Sequence, residues 1–416
     1  MLDVGGYLDL RYRYRSVPGG ETDQDLFGSF GVRTSLPGYG DGDLRLVASG
    51  SFVWDLDQFP DVGNPFSGLP ETYDGRLLGY LYEAYGEVDP TGPVRTLRAG
   101  RQVLWKEEGI RFDGVYAEAL ASAGTELSLY GGVPVHFYES SPEGDLLAGA
   151  GLALSPANRL RVSIDGIYVR DRRDIPGVPS VEGDLLTVLA IEGSPDPRLR
   201  ARGTFSMLDT RERRETAEVA FFDPASRARV NARLVRQNEI TDIPVTEFSP
   251  YAAVLGVLEP YFQFQVDAGA PIVEPLEIAV GYARRQLIEG ADENLFNHEF
   301  DHGYAIATLV SFPLPQTSLN VRGDGWNAGG EDFGTLGGGV EGRFGEKEEW
   351  RAEVGTDYSL YRVDFFTGEE RFRDRVYYGR VRRHLGEHLD LGLAYRYERD
   401  DLDEYHVVDV VLGVRF

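Results

Sequence analysis

The chain has no cysteine, two methionines and no apolar run long enough for a membrane helix. The missing cysteines exclude a disulfide framework, thiolate metal sites, a thiol nucleophile and covalent haem attachment through CxxCH. The longest apolar run, Tyr251 to Leu258 ("YAAVLGVL"), is far below the roughly 20 residues that a spanning helix needs. Basic residues are also short: 42 Lys and Arg stand against 68 Asp and Glu, a formal charge of −26. Nucleic-acid binders want a basic face, so that class is excluded. The opening "MLDVGGYLDLRYRYR" lacks a basic leader and enters a patterned strand almost at once, which implies that any signal peptide has already been removed. What the chain has in quantity is glycine (51), tyrosine (23) and phenylalanine (22) over 416 residues. That length suggests two or three ordinary domains, or one large barrel.

The dominant pattern has period two. In "HLDLGLAYRYERDD", Leu389, Leu391, Leu393, Tyr395 and Tyr397 share one face, while Asp390, Gly392, Ala394, Arg396 and Glu398 share the other. "WRAEVGTDYSLY" sets Trp350, Ala352, Val354, Thr356, Tyr358 and Leu360 against Arg351, Glu353, Gly355, Asp357, Ser359 and Tyr361. "RLRARGTFSML" and "RARVNARLVRQ" split the same way, with Arg200, Arg202, Arg229 and Arg233 on the polar side. Alternation this strict specifies strands. In a soluble sandwich or propeller the apolar face would be a core. In a transmembrane barrel it meets lipid, and the polar face lines a lumen.

Three features favour the barrel. Short turns ("SPAN", "SPDP", "DPAS", "PLPQT", "GEKE") alternate with longer acidic segments, among them "SVPGGETDQD", "DLDQFPDVGNPFSGLPETYDG", "RDIPGVPSVEGD" and "IEGADENLFNHEFDHG". Outer-membrane barrels alternate short periplasmic turns with longer outer loops in this manner. The strand count is even, about 22 with 18–24 allowed by uncertain boundaries, which puts both termini on the periplasmic side. On strands running outward, the apolar-face aromatics Tyr12, Trp54, Tyr168, Tyr282 and Tyr395 fall late, as an interfacial girdle requires. The expected fold is therefore an all-β, up-and-down antiparallel transmembrane barrel. It occupies 1–416 as one outer-membrane domain with no plug domain. "SPYAAVLGVLEP" (Ser249 to Pro260) is a short helix or apolar tip in the longest outer connection.

Two motifs look catalytic and are set aside. "HEFDH" (His298 to His302) matches HExxH, but it lies in an Asp- and Asn-rich loop rather than on a helix. "GGGVEG" (Gly337 to Gly342) matches a dinucleotide fingerprint but sits within a strand, not at a strand-to-helix turn. With no catalytic set, no metal site and no cofactor expected, the chain is not read as an enzyme. The segment Leu97 to Glu118 is less ordinary. Arg101 falls with Leu97, Ala99 and Val103, and Asp113 falls with Val115 and Ala117, so both charges lie on the apolar parity. Either a β-bulge reverses the face, or the two pair across a hairpin. The pair is then a structural ion pair fixing register, a charged constriction or a partner contact.

That hairpin, Gly100-Arg101-Gln102 and Phe112-Asp113-Gly114, resembles the "GRQ…FDG" hairpins of the Gram-negative outer-membrane β-barrel porin superfamily, including alginate-export-like porins. The general architecture resembles that superfamily over the full length. The resemblance implies a barrel with a passage and leaves the solute open. The lumen-facing candidates carry both signs: Arg200, Arg202, Arg229, Arg233, Arg351, Glu353, Asp357, Arg380, Arg382, Asp390, Arg396 and Glu398. Such charges need water, each other or a polar partner. Barrels of 16–18 strands leave a channel, whereas barrels near 22 are usually plugged. The leading expectation is a porin with a charged, water-filled passage for polar solutes. The alternative is a sheath, resembling the barrel of porin–cytochrome conduits, around a periplasmic multihaem cytochrome or lipoprotein. Expected partners are outer-membrane lipid, lipopolysaccharide and the barrel-assembly machinery. The last of these would read the closing signal "HVVDVVLGVRF", with Leu412, Val414 and Phe416 on its apolar face.

Overall fold

The computed structural model describes residues 3–39, 42–57, 66, 76–90, 92–105, 109–135, 144–171, 181–238, 259–288, 299–328, 331–345, 347–360, 362–363, 370–371, 373–401 and 403–416. In chain order the strands are β1 (Asp3–Ser16), β2 (Thr22–Tyr39), β3 (Gly42–Asp55), β4 (Leu77–Val88), β5 (Val94–Trp105), β6 (Gly109–Ser122), β7 (Thr125–Pro134) and β8 (Leu146–Ala157). There follow β9 (Leu160–Asp171), β10 (Val181–Asp196), β11 (Leu199–Leu208), β12 (Arg211–Asp223), β13 (Ala228–Gln237), β14 (Tyr261–Val273), β15 (Leu276–Leu287) and β16 (Phe300–Val310). The rest are β17 (Thr317–Ala328), β18 (Glu331–Phe344), β19 (Trp350–Ser359), β20 (Arg362–Val363), β21 (Glu370–Arg371), β22 (Asp374–Leu385), β23 (Leu389–Arg399) and β24 (Glu404–Arg415). The short β20 and β21 pair only with each other; the other strands form one 22-stranded sheet.

Each wall strand pairs antiparallel with its neighbours in sequence, and β1 closes the ring on β24 with Leu8 opposite Val414 and Leu10 opposite Leu412. Closure leaves no strand edge, which is what a wall in hydrocarbon demands. Phe416 extends the seam: its carbonyl accepts from the Gly6 N–H at 2.8 Å, and its N–H donates to the Gly6 carbonyl at 3.1 Å. The ring lies so close to Gly6 that a Cβ there would meet it at 2.7 Å.

The connections sort by end, as the sequence pattern requires. On the end that holds both termini they are 40–41, 89–93, 123–124, 158–159, 197–198, 224–227, 274–275, 311–316, 345–349 and 386–388. The other end carries the long ones, 56–76, 135–145, 172–180, 238–260, 288–299 and 360–373, together with several tight turns. One supposed loop shrinks. In "SVPGGETDQD" only 17–21 is a connection, because Asp23 and Asp25 already pair with Arg15 and Arg13 in β1. The segment Ser249 to Leu258 lies outside the described residues.

Alternation then separates two surfaces. Val115, Leu129, Leu336, Val354 and Leu393 stand exposed on the outside, as lipid-facing residues do. Outward aromatics mark both ends of this band: Trp54, Tyr168, Tyr282 and Tyr395 toward the long connections, and Phe221, Phe344, Trp350 and Phe416 toward the short ones. Tyr12 belongs to the first belt and donates to Gln24 Oε1 at 2.9 Å. Two girdles flanking an apolar band are the signature of a wall made to sit in a bilayer.

Candidate lumen surface

The opposite parity faces inward, and most of its charges are paired. Arg200 reaches Glu192 at 2.8 Å, Arg233 reaches Glu218 at 3.0 Å and Arg351 reaches Glu341 at 2.8 Å. Arg322 grips Asp357 through Nε and Nη2 at 2.6–3.0 Å. Arg380 pairs with Glu353, which is itself buried, and Asp390 pairs with His384. Arg396 lies 3.8 Å from Glu398, a buried carboxylate on the same strand. Arg229 borders an inner recess with Arg227, Glu277 and Thr308. Arg382 stands opposite Arg351 in register, and Arg351 opposite Arg343, so three arginines form a row across β18, β19 and β22.

The seam is also bridged from inside. Arg415 donates to Asp9 at 2.8 Å, and Arg13 to Asp409 at 3.1 Å. Arg202 lines a polar recess of about 250 Å³ with Glu118, Glu126, Arg161 and Asp165, where Arg161 holds Glu126 at 2.6 Å. Near it, Glu87 accepts from both Arg45 at 2.8 Å and Arg98 at 2.5 Å. Glu87, Arg98, Glu118, Glu126, Glu192 and Glu218 were not singled out from the sequence. Their inward parity was available as a signal; only for Glu87 and Arg98 do the register shifts of β4 and β5 obscure it.

One sector differs from the expected charged lining. On β5 to β10 the inward side chains include Leu104, Ile110, Phe112, Tyr130, Leu147, Ile167, Val169, Leu186 and Val188, packed into one buried cluster. Phe112 and Leu147 are 0% exposed. The backbone explains this. Gly100, Gly114 and Gly132 sit in register on adjacent strands. A Cβ on Gly100 would fall 2.3 Å from the Ala84 carbonyl oxygen, one on Gly114 2.1 Å from that of Gly131, and one on Gly132 2.1 Å from that of Asp113. Only glycine allows so close an approach, so the wall curls tightly there and presses its inner side chains together. Gln102 is buried under the curl and donates to the Gly114 carbonyl at 3.1 Å.

Arg101 and Asp113 are direct cross-strand partners, joined by two bonds of 2.8 and 2.7 Å. No register shift separates them from the exposed Leu97 and Val115, so the pair lies on the outer face. The bulge alternative and the constriction alternative are both overturned, because a side chain on the outside of the wall cannot narrow the lumen. Of the two catalytic look-alikes, His298 lies outside the described residues and Glu299 precedes β16, while the rest is strand rather than loop. Asp301 and His302 lie in β16, and Gly337 to Gly342 lie in β18. Among the described residues there is no cluster of potential metal ligands.

No protein-family model matches the chain, and no curated protein matches it. Solved structures do. The P pilus usher (PapC) translocation pore aligns with a TM-score of 0.55 at 10% identity, covering 100% of this chain and 99% of that one. OccK2 (OpdF) of Pseudomonas aeruginosa, solved in complex with glucuronate, aligns at 0.48 and 10% identity, covering 100% and 96%. OccAB1 of Acinetobacter baumannii aligns at 0.45 and 11%, covering 100% and 96%. The similarity to the usher pore is one of fold: the chain shares with it a large closed antiparallel β-barrel.

Proposed function

We propose that this chain is an outer-membrane channel of a Gram-negative bacterium that passes polar solutes, with its termini and short turns in the periplasm. The observation that carries this is the separation of surfaces on one closed wall. A lipid-compatible band with two aromatic belts lies outside, and ion-paired charges line the inside from β11 round to β3. Opposed charges on a wetted wall give a transverse field that orders polar solutes. The apolar cluster on β5 to β10 takes up part of the cross-section, so a 22-stranded ring is narrowed by its own wall. Lipid and lipopolysaccharide surround the barrel, and the assembly machinery reads its closing strand.

The test is planar-bilayer recording of the purified barrel. Discrete, stable conductance steps from the protein alone are expected. A barrel that is silent until a co-purifying protein is stripped away would overturn the channel and assign a sheath around that protein.

A further inference from the structure

On the outer face, the sector from β10 to β15 brings an apolar groove and two arginines together. The groove has a volume of about 450 Å³ and is lined by Leu189, Ile191, Phe205, Ala217, Leu234 and Phe262. These share the outward parity: Leu189 stands opposite Phe205 and Ala217 opposite Leu234, and Leu189, Ile191, Leu234 and Phe262 are exposed. Arg236 and Glu215, direct partners across β12 and β13, close the long-connection end of the groove. On the far side of β14, Arg284 faces outward two residues beyond Tyr282, a member of the long-connection belt. β14 sets a ring beside each guanidinium, because Phe262 is the direct partner of Arg236 and Phe264 that of Arg284.

Neither arginine is gripped by its own carboxylate. Arg236 lies 3.7 Å from Glu215 and Arg284 lies 3.8 Å from Asp301, both beyond hydrogen-bond reach, and both arginine side chains are half exposed. The Asp301 oxygen nearest Arg284 already accepts from the Tyr282 hydroxyl. Inward pairs such as Arg322 with Asp357 close to 2.6 Å instead. Cations set just past an aromatic belt stand at headgroup level. A guanidinium there matches phosphate oxygens in two parallel bonds. The groove below seats an acyl chain by shape, since hydrocarbon surroundings supply no hydrophobic drive of their own.

We infer that this face is a seat for the phosphorylated glycolipid of the outer leaflet, lipopolysaccharide. One acyl chain lies in the groove between β10 and β14, and Arg236 and Arg284 hold phosphate. Phosphate displaces loose carboxylate contacts rather than closed ones. This rests on the orientation proposed above, with the long connections outside, and it assigns residues and a recognition chemistry to that surface.

Native mass spectrometry of the delipidated barrel in detergent, titrated with lipid A, phosphate-free lipid A and phosphatidylglycerol, tests this. Lipid A, the membrane anchor of lipopolysaccharide, is expected to bind roughly tenfold or more tighter than either of the others. Arg236→Gln combined with Arg284→Gln should lose roughly that factor for lipid A and leave the phosphate-free form unchanged. Ala217→Leu, which fills the groove, should weaken both forms alike. Arg383→Gln, at the opposite belt where Arg383 lies 4.7 Å from the Trp350 ring centroid, should change nothing. Equal binding of lipid A and its phosphate-free form, or full lipid A binding by the folded double variant, overturns the inference. Phosphatidylglycerol bound as tightly as lipid A overturns it too, because the seat would not select the outer-leaflet lipid. The readout is lipid binding, so a barrel that selects lipid A but does not conduct refutes the channel and leaves this seat standing.

Discussion

Replacing Phe112 by alanine tests whether the curled sector of the wall is a packed core or a wetted lining. The ring is 0% exposed and lies 6.0 Å from the Tyr130 ring, inside the cluster with Ile110, Leu147 and Ile167. A phenylalanine buries roughly 150–250 Å². At about 25 cal/mol per Å² that is about 4–6 kcal/mol of transfer free energy, an upper estimate because the unfolded chain is not fully extended. Measured core truncations of phenylalanine cost about 3–5 kcal/mol. The paired control is Val115→Ala, three positions on and facing outward at 61% exposure. Its side chain exchanges one apolar neighbour, lipid or detergent, for another, so about 1 kcal/mol or less is expected.

Urea unfolding of the two variants in the same micelles, followed by circular dichroism, supplies the comparison. A Phe112→Ala loss of at least about 3 kcal/mol, with Val115→Ala near wild type, supports a solvent-screened cluster inside the barrel. A cooperative transition with Phe112→Ala within about 1 kcal/mol of wild type refutes it. Water would then reach the inner face of β5 to β10, and the narrowing of the ring by its own wall would fail with it.

Arg380→Gln strands the buried Glu353 carboxylate. It should cost about 1–3 kcal/mol and shift the reversal potential in a salt gradient toward cation preference; an unchanged potential would remove the pair from the solute path. Deleting Phe416 takes away two backbone bonds to Gly6 and the ring packed on it. Assembled barrel in the membrane should fall while single-channel conductance stays the same, and normal levels with altered conductance would refute an assembly role. Asp9→Asn combined with Asp409→Asn removes the carboxylates facing Arg415 and Arg13 at the seam. Each pair is worth about 0.2–1 kcal/mol, so the melting temperature should drop slightly at low salt, and the difference should shrink in 1 M salt. A salt-independent drop would mean that packing rather than charge holds the seam.

Which parts of this were legible in the sequence follows from what a period of two can encode. Parity is a local property, so it sorted the residues of β11, β13, β19, β22 and β23 into two faces and put the charges from Arg200 to Glu398 on one of them. The closing strand was equally plain, because Leu412 and Val414 must meet the apolar parity of β1. Parity says nothing about curvature. Gly100, Gly114 and Gly132 are far apart in sequence and become a ladder only once register is set. The tight curl, the buried inner cluster and the loss of charged lining on that side therefore appear only in three dimensions.

Arg101 and Asp113 show the same limit from the other side. Their apolar parity was visible, but whether it meant a bulge or an outward pair depended on register. Arg285 shows it again. By sequence it is one inward arginine among many. Its neighbours Gln263, Tyr261 and Phe300 come from the flanking strands, and only their convergence separates a guanidinium with one neutral acceptor among the described residues from a neutralised one. The chemistry of a barrel wall is thus set by which strands stand side by side at a given height. Alternation alone fixes which side chains face the lumen, and register decides which of them remain available to a solute.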